Sequence, residues 1–247
     1  MRIALLEECP DYAAATIQAL TTAGHTCHVF PSGMALLRVL RRQSFDLLLL
    51  DWASDMPGAD LLRAVREVTR QYLPVIFVST RGRDYDVTSI LDAGADDYIV
   101  KPVSGPVLLA RVCALLRRVY RSDPAVTHIT FGDFVFDLAS ECVLWQGMPM
   151  ELRRREFELA LLLFRNMGRP LSRVHIAELV WKQAADIPSR TMDTHISMVR
   201  TKLGLRPENG YRLMPIYGYG YRLEQIVCDA ESRSLEKHRD AATPTRH

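Results

Sequence analysis

A regular alternation of short apolar runs and amphipathic stretches in the first half of the chain limits the fold more than any other feature. Five apolar runs, from I-A-L-L at 3–6 to D-Y-I-V at 97–100, are each followed by a stretch with helical periodicity. Near-continuous apolar strands separated by helices are typical of a parallel sheet covered on both faces. We therefore predict an α/β doubly wound domain with five parallel strands and a ligand site at the carboxyl ends of the strands.

The pattern changes after residue 119, which divides the chain into four predicted segments. The α/β domain covers 1–119, and a polar, Pro-containing linker covers 120–127. Residues 128–226 begin with short alternating segments, continue through three helical stretches and end in a hairpin, which indicates a second, α+β domain. The polar segment at 227–247 lacks core-forming residues, and we expect it to be disordered.

Composition excludes several classes of protein. With 31 basic and 29 acidic residues the formal net charge is +2, so bulk charge gives no argument for binding nucleic acid or a membrane. The five cysteines contain no C-x-x-C pair, which argues against a disulfide framework or a cysteine zinc site. No signal peptide is visible and no apolar run approaches the ~20 residues of a membrane span. We expect a cytoplasmic protein.

Acidic and other polar side chains follow the predicted strands of the first domain. Glu7 and Glu8 end the first strand, Asp51 the third and Ser79 the fourth, and Lys101 follows the fifth. The ends of parallel strands meet at one edge of the sheet, and carboxylates held close together suit a hard cation such as Mg²⁺. An aspartate beside a lysine and a hydroxyl can act as a nucleophile toward a phosphoryl group.

These residues resemble the receiver domain of two-component response regulators. The resemblance covers roughly residues 1–120 and lies in E-E at 7–8, F-D-L-L-L-L-D at 45–51, P-V-I-F-V-S-T at 74–80 and G-A-D-D-Y-I-V-K-P at 94–102. It implies that a sensor histidine kinase phosphorylates Asp51. It also implies that Mg²⁺ is held by Glu7, Glu8 and Asp51. The implied residues that sense the phosphoryl group are Ser79, Lys101 and Tyr98, with Tyr98 as the aromatic switch.

The first domain also departs from the family pattern in its pocket. Glu8 stands where the family commonly has a metal-binding Asp, and Cys9 follows it. The loop after Asp51 is two residues longer than usual, reaches its proline at Pro57 and contains an extra acid, Asp55. A displaced loop carbonyl would weaken Mg²⁺ binding and slow phosphorylation, unless Asp55 compensates as an added ligand. Two hypotheses remain open: control by phosphorylation, or a receiver that works without phosphate.

The expected dimer surface is also changed. The family pairs receivers through the fourth helix, fifth strand and fifth helix, and salt-bridge positions there read Val87, Ser89 and Val107 in this chain. Exposed ion pairs contribute only about 0–1 kcal/mol each, so a homodimer is still expected. The two valines either pack between protomers or face their own core.

In the second domain, a helix beginning at Ser189 and ending before Gly204 has an apolar stripe on one face. The opposite face carries short polar side chains flanked by basic ones, as a helix that enters the major groove requires. Taken alone, this pattern is better explained by an ordinary surface helix. Arg153, Arg154 and Arg155 earlier in the domain are similarly better explained as a solvated face.

The whole of 128–224 resembles the winged helix-turn-helix domain of the OmpR/PhoB family. The motifs are E-F-E-L at 156–159, R-T-M-D-T-H-I-S at 190–197, K-L-G at 202–204 and G-Y-G-Y-R at 218–222. The resemblance makes 189–203 the recognition helix, 181–188 a loop that can touch RNA polymerase, and 213–222 the wing. The implied DNA-binding residues are Arg190, Thr191, Arg200 and Lys202 at phosphates, Asp193, Thr194, Ser197 and Met198 at bases, and Tyr217 in the wing.

We therefore predict a DNA-binding transcriptional response regulator, controlled by aspartyl phosphorylation and dimerisation, rather than an enzyme. Met198 and Tyr217 replace basic residues found in relatives, which predicts weaker and less salt-sensitive binding to double-stranded DNA. One alternative is a regulator that works without phosphate. Another is an interaction module that has lost DNA binding. A third alternative is a phosphohydrolase with an aspartate nucleophile. It is disfavoured because Ala53 stands where such enzymes usually carry a second Asp.

Overall fold

The computed structural model describes residues 1–52, 55–69, 72–120, 127–182 and 189–226, with only the backbone of Ser189. Ala53, most of the predicted linker, most of the predicted polymerase-contacting loop and the predicted tail lie outside the described residues. Within the described ranges, no helix has the length and apolarity that crossing a membrane requires.

The first domain is the predicted doubly wound α/β fold. Its five parallel strands lie in the order β2-β1-β3-β4-β5, with helices between consecutive strands. The strands are β1 (Arg2–Leu6), β2 (Thr26–Phe30), β3 (Leu47–Leu50), β4 (Val75–Ser79) and β5 (Asp97–Val100). The helices are α1 (Pro10–Thr22), α2 (Gly33–Leu40), α3 (Gly58–Thr69), α4 (Asp84–Asp92) and α5 (Gly105–Tyr120).

The central strand β3 explains why the apolar runs are continuous rather than alternating. All four of its leucines are buried. Leu48 and Leu50 pack into the core layer formed with α2 and α3, whereas Leu47 and Leu49 pack into the layer formed with α1 and α5. Because successive side chains of a strand point to opposite faces, a sheet covered on both sides needs apolar residues at every position.

Helix α5 continues to Tyr120, the residue at which the sequence places the start of the linker. The Tyr120 ring is buried, and its hydroxyl donates a hydrogen bond to the backbone carbonyl of Asp46 at 2.8 Å. This contact anchors the last turn of the helix to the first domain. The predicted linker is therefore one residue shorter at this end.

The second domain places three helices between two small antiparallel sheets. The first sheet contains β6 (His128–Phe131), β7 (Phe134–Asp137), β8 (Cys142–Trp145) and β9 (Met148–Met150). The helices are α6 (Arg154–Arg165), α7 (Arg173–Ile176), which continues as a π-helical turn (Ala177–Trp181), and α8 (Ser189–Lys202). The second sheet, in the order β10-β12-β11, contains β10 (Leu171–Ser172), β11 (Tyr211–Ile216) and β12 (Gly220–Gln225). A single aromatic-rich core joins these elements.

Two glycines make the predicted hairpin of β11 and β12 possible. Gly218 in its turn has φ +67°, a backbone conformation that residues other than glycine rarely adopt. At Gly220 a Cβ atom would lie 2.0 Å from the carbonyl oxygen of Leu171, so the close approach of β10 requires glycine. The hairpin is thereby joined to the domain core through β10.

The two domains meet at the amino-terminal edge of the α/β sheet through buried charged groups. The Arg2 guanidinium is buried and lies 2.8 Å from the Glu178 carboxylate of the π-helical turn. Asp46 lies 3.3 Å from both Arg169 and His175 of the second domain. Although burial raises the pKa of Asp46, the neighbouring His175 and Arg169 outweigh it and hold this pKa well below its usual value.

Candidate functional site

At the carboxyl-terminal edge of the same sheet, Asp51, Glu7 and Lys101 form a tight cluster. The Lys101 ammonium lies 2.7 Å from Asp51 Oδ2 and 2.5 Å from Glu7 Oε2. The Lys101 side chain is only 3% exposed, whereas that of Asp51 is 20% exposed and thus open to a reaction partner. Burial lowers the pKa of Lys101, but its hydrogen bonds to Asp51 and Glu7 dominate and raise this pKa above its usual value, which keeps the ammonium charged.

Ser79 and Tyr98 lie on the neighbouring strands, as the topology requires. Ser79 ends β4 and is buried. Tyr98 on β5 is also buried, and its hydroxyl donates to the backbone carbonyl of Arg81 at 2.6 Å. The Trp52 indole donates to the same hydroxyl at 3.4 Å, and the Arg81 guanidinium stacks on the Trp52 ring at 4.2 Å. Sequence reasoning missed Trp52 and Arg81, although a tryptophan directly after Asp51 was a visible signal.

The predicted three-carboxylate metal cluster is not assembled. Among the residues that the structure describes, no group of three or more His, Cys, Asp and Glu side chains is arranged to hold a metal ion. Glu7 is buried but Glu8 is exposed, because β1 ends at Leu6 and the chain bends at Glu8, so strand geometry no longer sets the direction of its side chain. Lys101 instead supplies positive charge between Glu7 and Asp51. The donor set still suits a hard cation, because these two carboxylates share one ammonium and keep a net negative charge.

Asp55, the extra acid of the long loop, caps a helix. Its two carboxylate oxygens accept hydrogen bonds from the backbone N–H groups of Gly33 and Met34, each at 3.0 Å, at the first turn of α2. These backbone donors hold the pKa of Asp55 below its usual value. Both oxygens of Asp55 thus satisfy N–H groups that have no partner within the helix, and its role as an added metal ligand stays a prediction.

The surface of α4, β5 and α5 carries exposed apolar side chains. Val107 is 48% exposed and Tyr85 is 81% exposed. Val87, by contrast, packs partly buried against the core of the first domain. Asp97 and Arg111 form an ion pair within the chain at 2.9 Å. Of the two valines considered from the sequence, only Val107 is thus available to a partner.

Helix α8 has the predicted two-faced arrangement. Met192, Ile196 and Val199 are buried in the core of the second domain. The opposite face borders a shallow solvent-facing concavity of about 720 Å³. Its lining also includes Thr201 and six of the predicted DNA-binding residues, namely Arg190, Asp193, Thr194, Ser197, Met198 and Lys202.

Several predicted DNA-binding side chains also bond within the protein. Asp193 lies 2.6 Å from Arg173 and bonds to the Tyr221 hydroxyl, which joins α8 to α7 and β12. The Lys202 ammonium lies 2.7 Å from the buried carboxylate of Glu156 on α6. Pairing with Arg173 offsets the negative charge of Asp193, which would otherwise repel DNA phosphates.

The remaining predicted DNA-binding residues lie at the edges of this face. Thr191 is half-buried on α8, and Arg200 donates from Nε to the carbonyl of Leu213 on β11 at 3.2 Å. Tyr217 is fully exposed at the turn of the hairpin. Arg154 and Arg155, by contrast, pair with Glu158 on α6.

Comparison with known proteins gives the same two domains. Residues 3–113 match the response regulator receiver domain, and residues 147–223 match the C-terminal domain of transcriptional regulatory proteins. The chain is 36% identical over 221 residues to the transcriptional regulatory protein AfsQ1 of Streptomyces coelicolor, covering 89% of this chain and 96% of that protein. It is 34% identical over 228 residues to the transcriptional regulatory protein CreB of Escherichia coli, covering 90% of this chain and 97% of that protein.

Among solved structures, the OmpR/PhoB homologue DrrB of Thermotoga maritima is 28% identical, with a TM-score of 0.43 and coverage of 90% of this chain and 98% of that one. Receiver domains generally bind Mg²⁺ at their phosphorylation site, and they imply a sensor kinase as partner. The relatives are named as transcriptional regulators. The chain therefore belongs to the OmpR/PhoB family of two-component response regulators, and it is a DNA-binding transcriptional regulator with a receiver domain followed by a winged helix-turn-helix domain.

Proposed function

We propose that this regulator is controlled by phosphorylation of Asp51 by a sensor histidine kinase. The observation that supports this most directly is the partly exposed Asp51 carboxylate beside the buried Lys101 ammonium, at 2.7 Å. A carboxylate oxygen of Asp51 attacks the phosphorus of a phosphohistidine, the phosphorus–nitrogen bond breaks, and its electron pair stays on the imidazole. Lys101 then pairs with the phosphoryl oxygens, and Ser79 donates a hydrogen bond to them.

The proposed metal site uses the same edge of the sheet. Glu7, Glu8 and Asp51 would hold Mg²⁺, which when bound neutralises charge on the phosphoryl oxygens. Glu8 must turn toward Glu7 to take part, because it is exposed in this structure. Its carboxylate is one methylene longer than the aspartate common at this position, which gives it the reach to do so.

Phosphorylation would act through Tyr98 on the surface of α4, β5 and α5. Tyr98 connects this surface to the pocket because its hydroxyl is bonded to Arg81 and Trp52 beside Asp51. We propose that two copies pair through this surface, with Val107 and Tyr85 in the contact. Pairing raises the effective concentration of the second DNA-binding domain at a repeated half-site.

The proposed DNA contacts follow the exposed face of α8 and the hairpin turn. Arg190, Thr191, Arg200 and Lys202 would contact phosphates, Asp193, Thr194, Ser197 and Met198 would face base edges, and Tyr217 would contact the minor groove. The segment 181–188 would contact RNA polymerase. Because the proposed target of the regulator is chromosomal DNA, we propose that the protein acts in the cytoplasm.

The test is the intact mass of the protein after incubation with a small-molecule phosphodonor, with and without Mg²⁺. The wild type is expected to gain ~80 Da, one phosphoryl group, only when Mg²⁺ is present. Asp51→Asn should gain nothing. Asp60→Asn, which changes an exposed aspartate of α3, is the matched control and should gain the same mass as the wild type.

A regulator that works without phosphate is the second candidate. It is favoured by the present pocket, in which Lys101 already bonds to both Glu7 and Asp51 and Tyr98 is already buried. If no mass is gained while Asp51→Asn dimerises and binds DNA as the wild type does, control by phosphorylation is wrong and this candidate takes its place.

A further inference from the structure

A cavity of about 500 Å³ lies between the two domains, away from the Asp51 pocket and from the exposed face of α8. The first domain contributes Leu40, Val68 and Leu73 to its wall, and the second contributes Ile216 and Tyr219. This volume lies within the roughly 300–1,000 Å³ typical of small-molecule sites, which are often found between domains. Neither the proposed phosphorylation nor the proposed DNA contacts make use of it.

The charged groups at this cavity are all basic. Arg41, Arg169 and Arg222 line it, and none of its described lining residues is acidic. Arg169 is compensated by Asp46 at 3.3 Å and Arg222 by Glu224 at 2.7 Å, both outside the lining. No ion pair of Arg41 exists within the described residues, so the cavity keeps an excess positive charge.

Arg222 also has an unused hydrogen-bond donor. Its Nε atom is buried from solvent and has no hydrogen-bond partner among the described residues. The terminal nitrogen Nη2 of the same guanidinium lies 2.7 Å from Glu224 Oε1 and 3.6 Å from the Met214 sulfur, which is a weak acceptor. Leaving a buried donor unpaired is unfavourable, so an anion oxygen that reaches Nε as the Arg222 side chain shifts would be stabilised there.

We propose that this cavity binds a small organic anion, specifically a carboxylate with an aliphatic or aromatic body. A planar guanidinium matches the geometry of a carboxylate, and Arg41, which has no ion pair among the described residues, lines the cavity together with Arg222. The side chains of Leu40, Val68, Leu73 and Ile216 provide an apolar wall for the hydrocarbon part. A bare inorganic anion would leave that wall without a partner.

Such a ligand contacts both domains at once, so it stabilises the arrangement in which they are packed together. The bound state would therefore favour one relative orientation of the receiver and the DNA-binding domain. This effect requires neither phosphate on Asp51 nor DNA on α8, so the proposal stands or falls independently of the phosphorylation mechanism.

The experiment is calorimetric titration of the full-length protein with 2-naphthoate and decanoate, with 2-naphthamide as an uncharged analogue. Both carboxylates are expected to bind, and 2-naphthamide at least about tenfold more weakly than 2-naphthoate. Arg222→Gln should reduce naphthoate affinity about tenfold or more. Arg63→Gln, which changes an exposed arginine of α3 outside the cavity, is the matched control and should bind as the wild type does.

Two further variants test the location. Val68→Trp and Ile216→Trp fill the cavity from the first and the second domain, and both are expected to abolish binding. Met34→Trp, which changes an exposed side chain of α2, should leave binding intact. Thermal melting of the unliganded variants establishes that they are folded. The proposal is overturned if neither carboxylate binds, if 2-naphthamide binds equally well, or if the folded tryptophan variants retain binding.

Discussion

Asp55 gives the clearest prediction at the scale of a single residue. Its carboxylate accepts the first two N–H groups of α2, so Asp55→Ala removes a cap contributed from outside the helix. Loss of such a cap from an exposed side chain is expected to lower the free energy of unfolding by about 0.5–1 kcal/mol. Urea denaturation at neutral pH measures the difference, with Glu67→Ala on the exposed side of α3 as control.

The pH dependence of this contribution has a definite sign. The pKa of Asp55 is lower in the folded protein than in the unfolded chain, so its stabilising effect is complete above the unfolded pKa of about 3.9 and is lost as pH falls through the folded pKa. The stability difference between wild type and Asp55→Ala should therefore shrink in acid. A difference that stays constant down to pH 2 would contradict the cap.

Asp55 also shows where residue-level prediction from sequence ends. The sequence identifies Asp55 as an unusual acid near the pocket, but its partner depends on the path of the loop after Asp51. Asp55 itself lies 22 residues beyond its partner Gly33 in the chain. Asp51, Ser79 and Lys101 were easier to place, because parallel topology alone brings their strand ends to one edge. Glu8 was misplaced because topology does not specify side-chain direction beyond the end of a strand.

At the scale of the element, α8 carries the DNA-binding prediction. Arg190 is exposed on the face opposite the buried Met192 and Ile196, and we expect it to neutralise a phosphate. Arg190→Gln should weaken binding to all DNA sequences alike and reduce the slope of log affinity against log salt concentration by about 0.9. Fluorescence anisotropy at several salt concentrations, on specific and unrelated duplexes, measures both quantities.

Arg63→Gln serves as the control, because Arg63 is an exposed arginine of the receiver domain. If Arg190→Gln leaves the salt slope unchanged, α8 does not contact phosphate at this position. The boundaries of α8 were predicted from Ser189 and Gly204, and its core stripe from the 3.6-residue period. The bonds of α8 to other elements could not be predicted from the sequence. Lys202 and Glu156, for example, are 46 positions apart, and no local pattern connects them.

At the scale of the whole molecule, the sequence predicts two domains but not the contact between them. Arg2 and Glu178 lie in no recognised motif, and the motif that contains Asp46 assigns it no partner in the second domain. Their burial is a consequence of packing the amino-terminal edge of one sheet against α7 and its π-helical extension. A buried charge that loses its partner costs about 3–5 kcal/mol, so this contact should make the domains unfold together.

Glu178→Gln tests this coupling, because Glu178 bonds across the interface to Arg2 at 2.8 Å and to His28 at 3.0 Å. Differential scanning calorimetry should show one transition for the wild type and two for Glu178→Gln, whose domains then unfold separately. Burial raises the pKa of Glu178, but the bonds from His28 and Arg2 outweigh it and lower this pKa, so acid should also separate the transitions as pH falls through the folded pKa. Glu158→Gln, which disrupts ion pairs inside the second domain only, should leave a single transition. Two transitions in the wild type, or one in Glu178→Gln, would mean that these buried charges do not couple the domains.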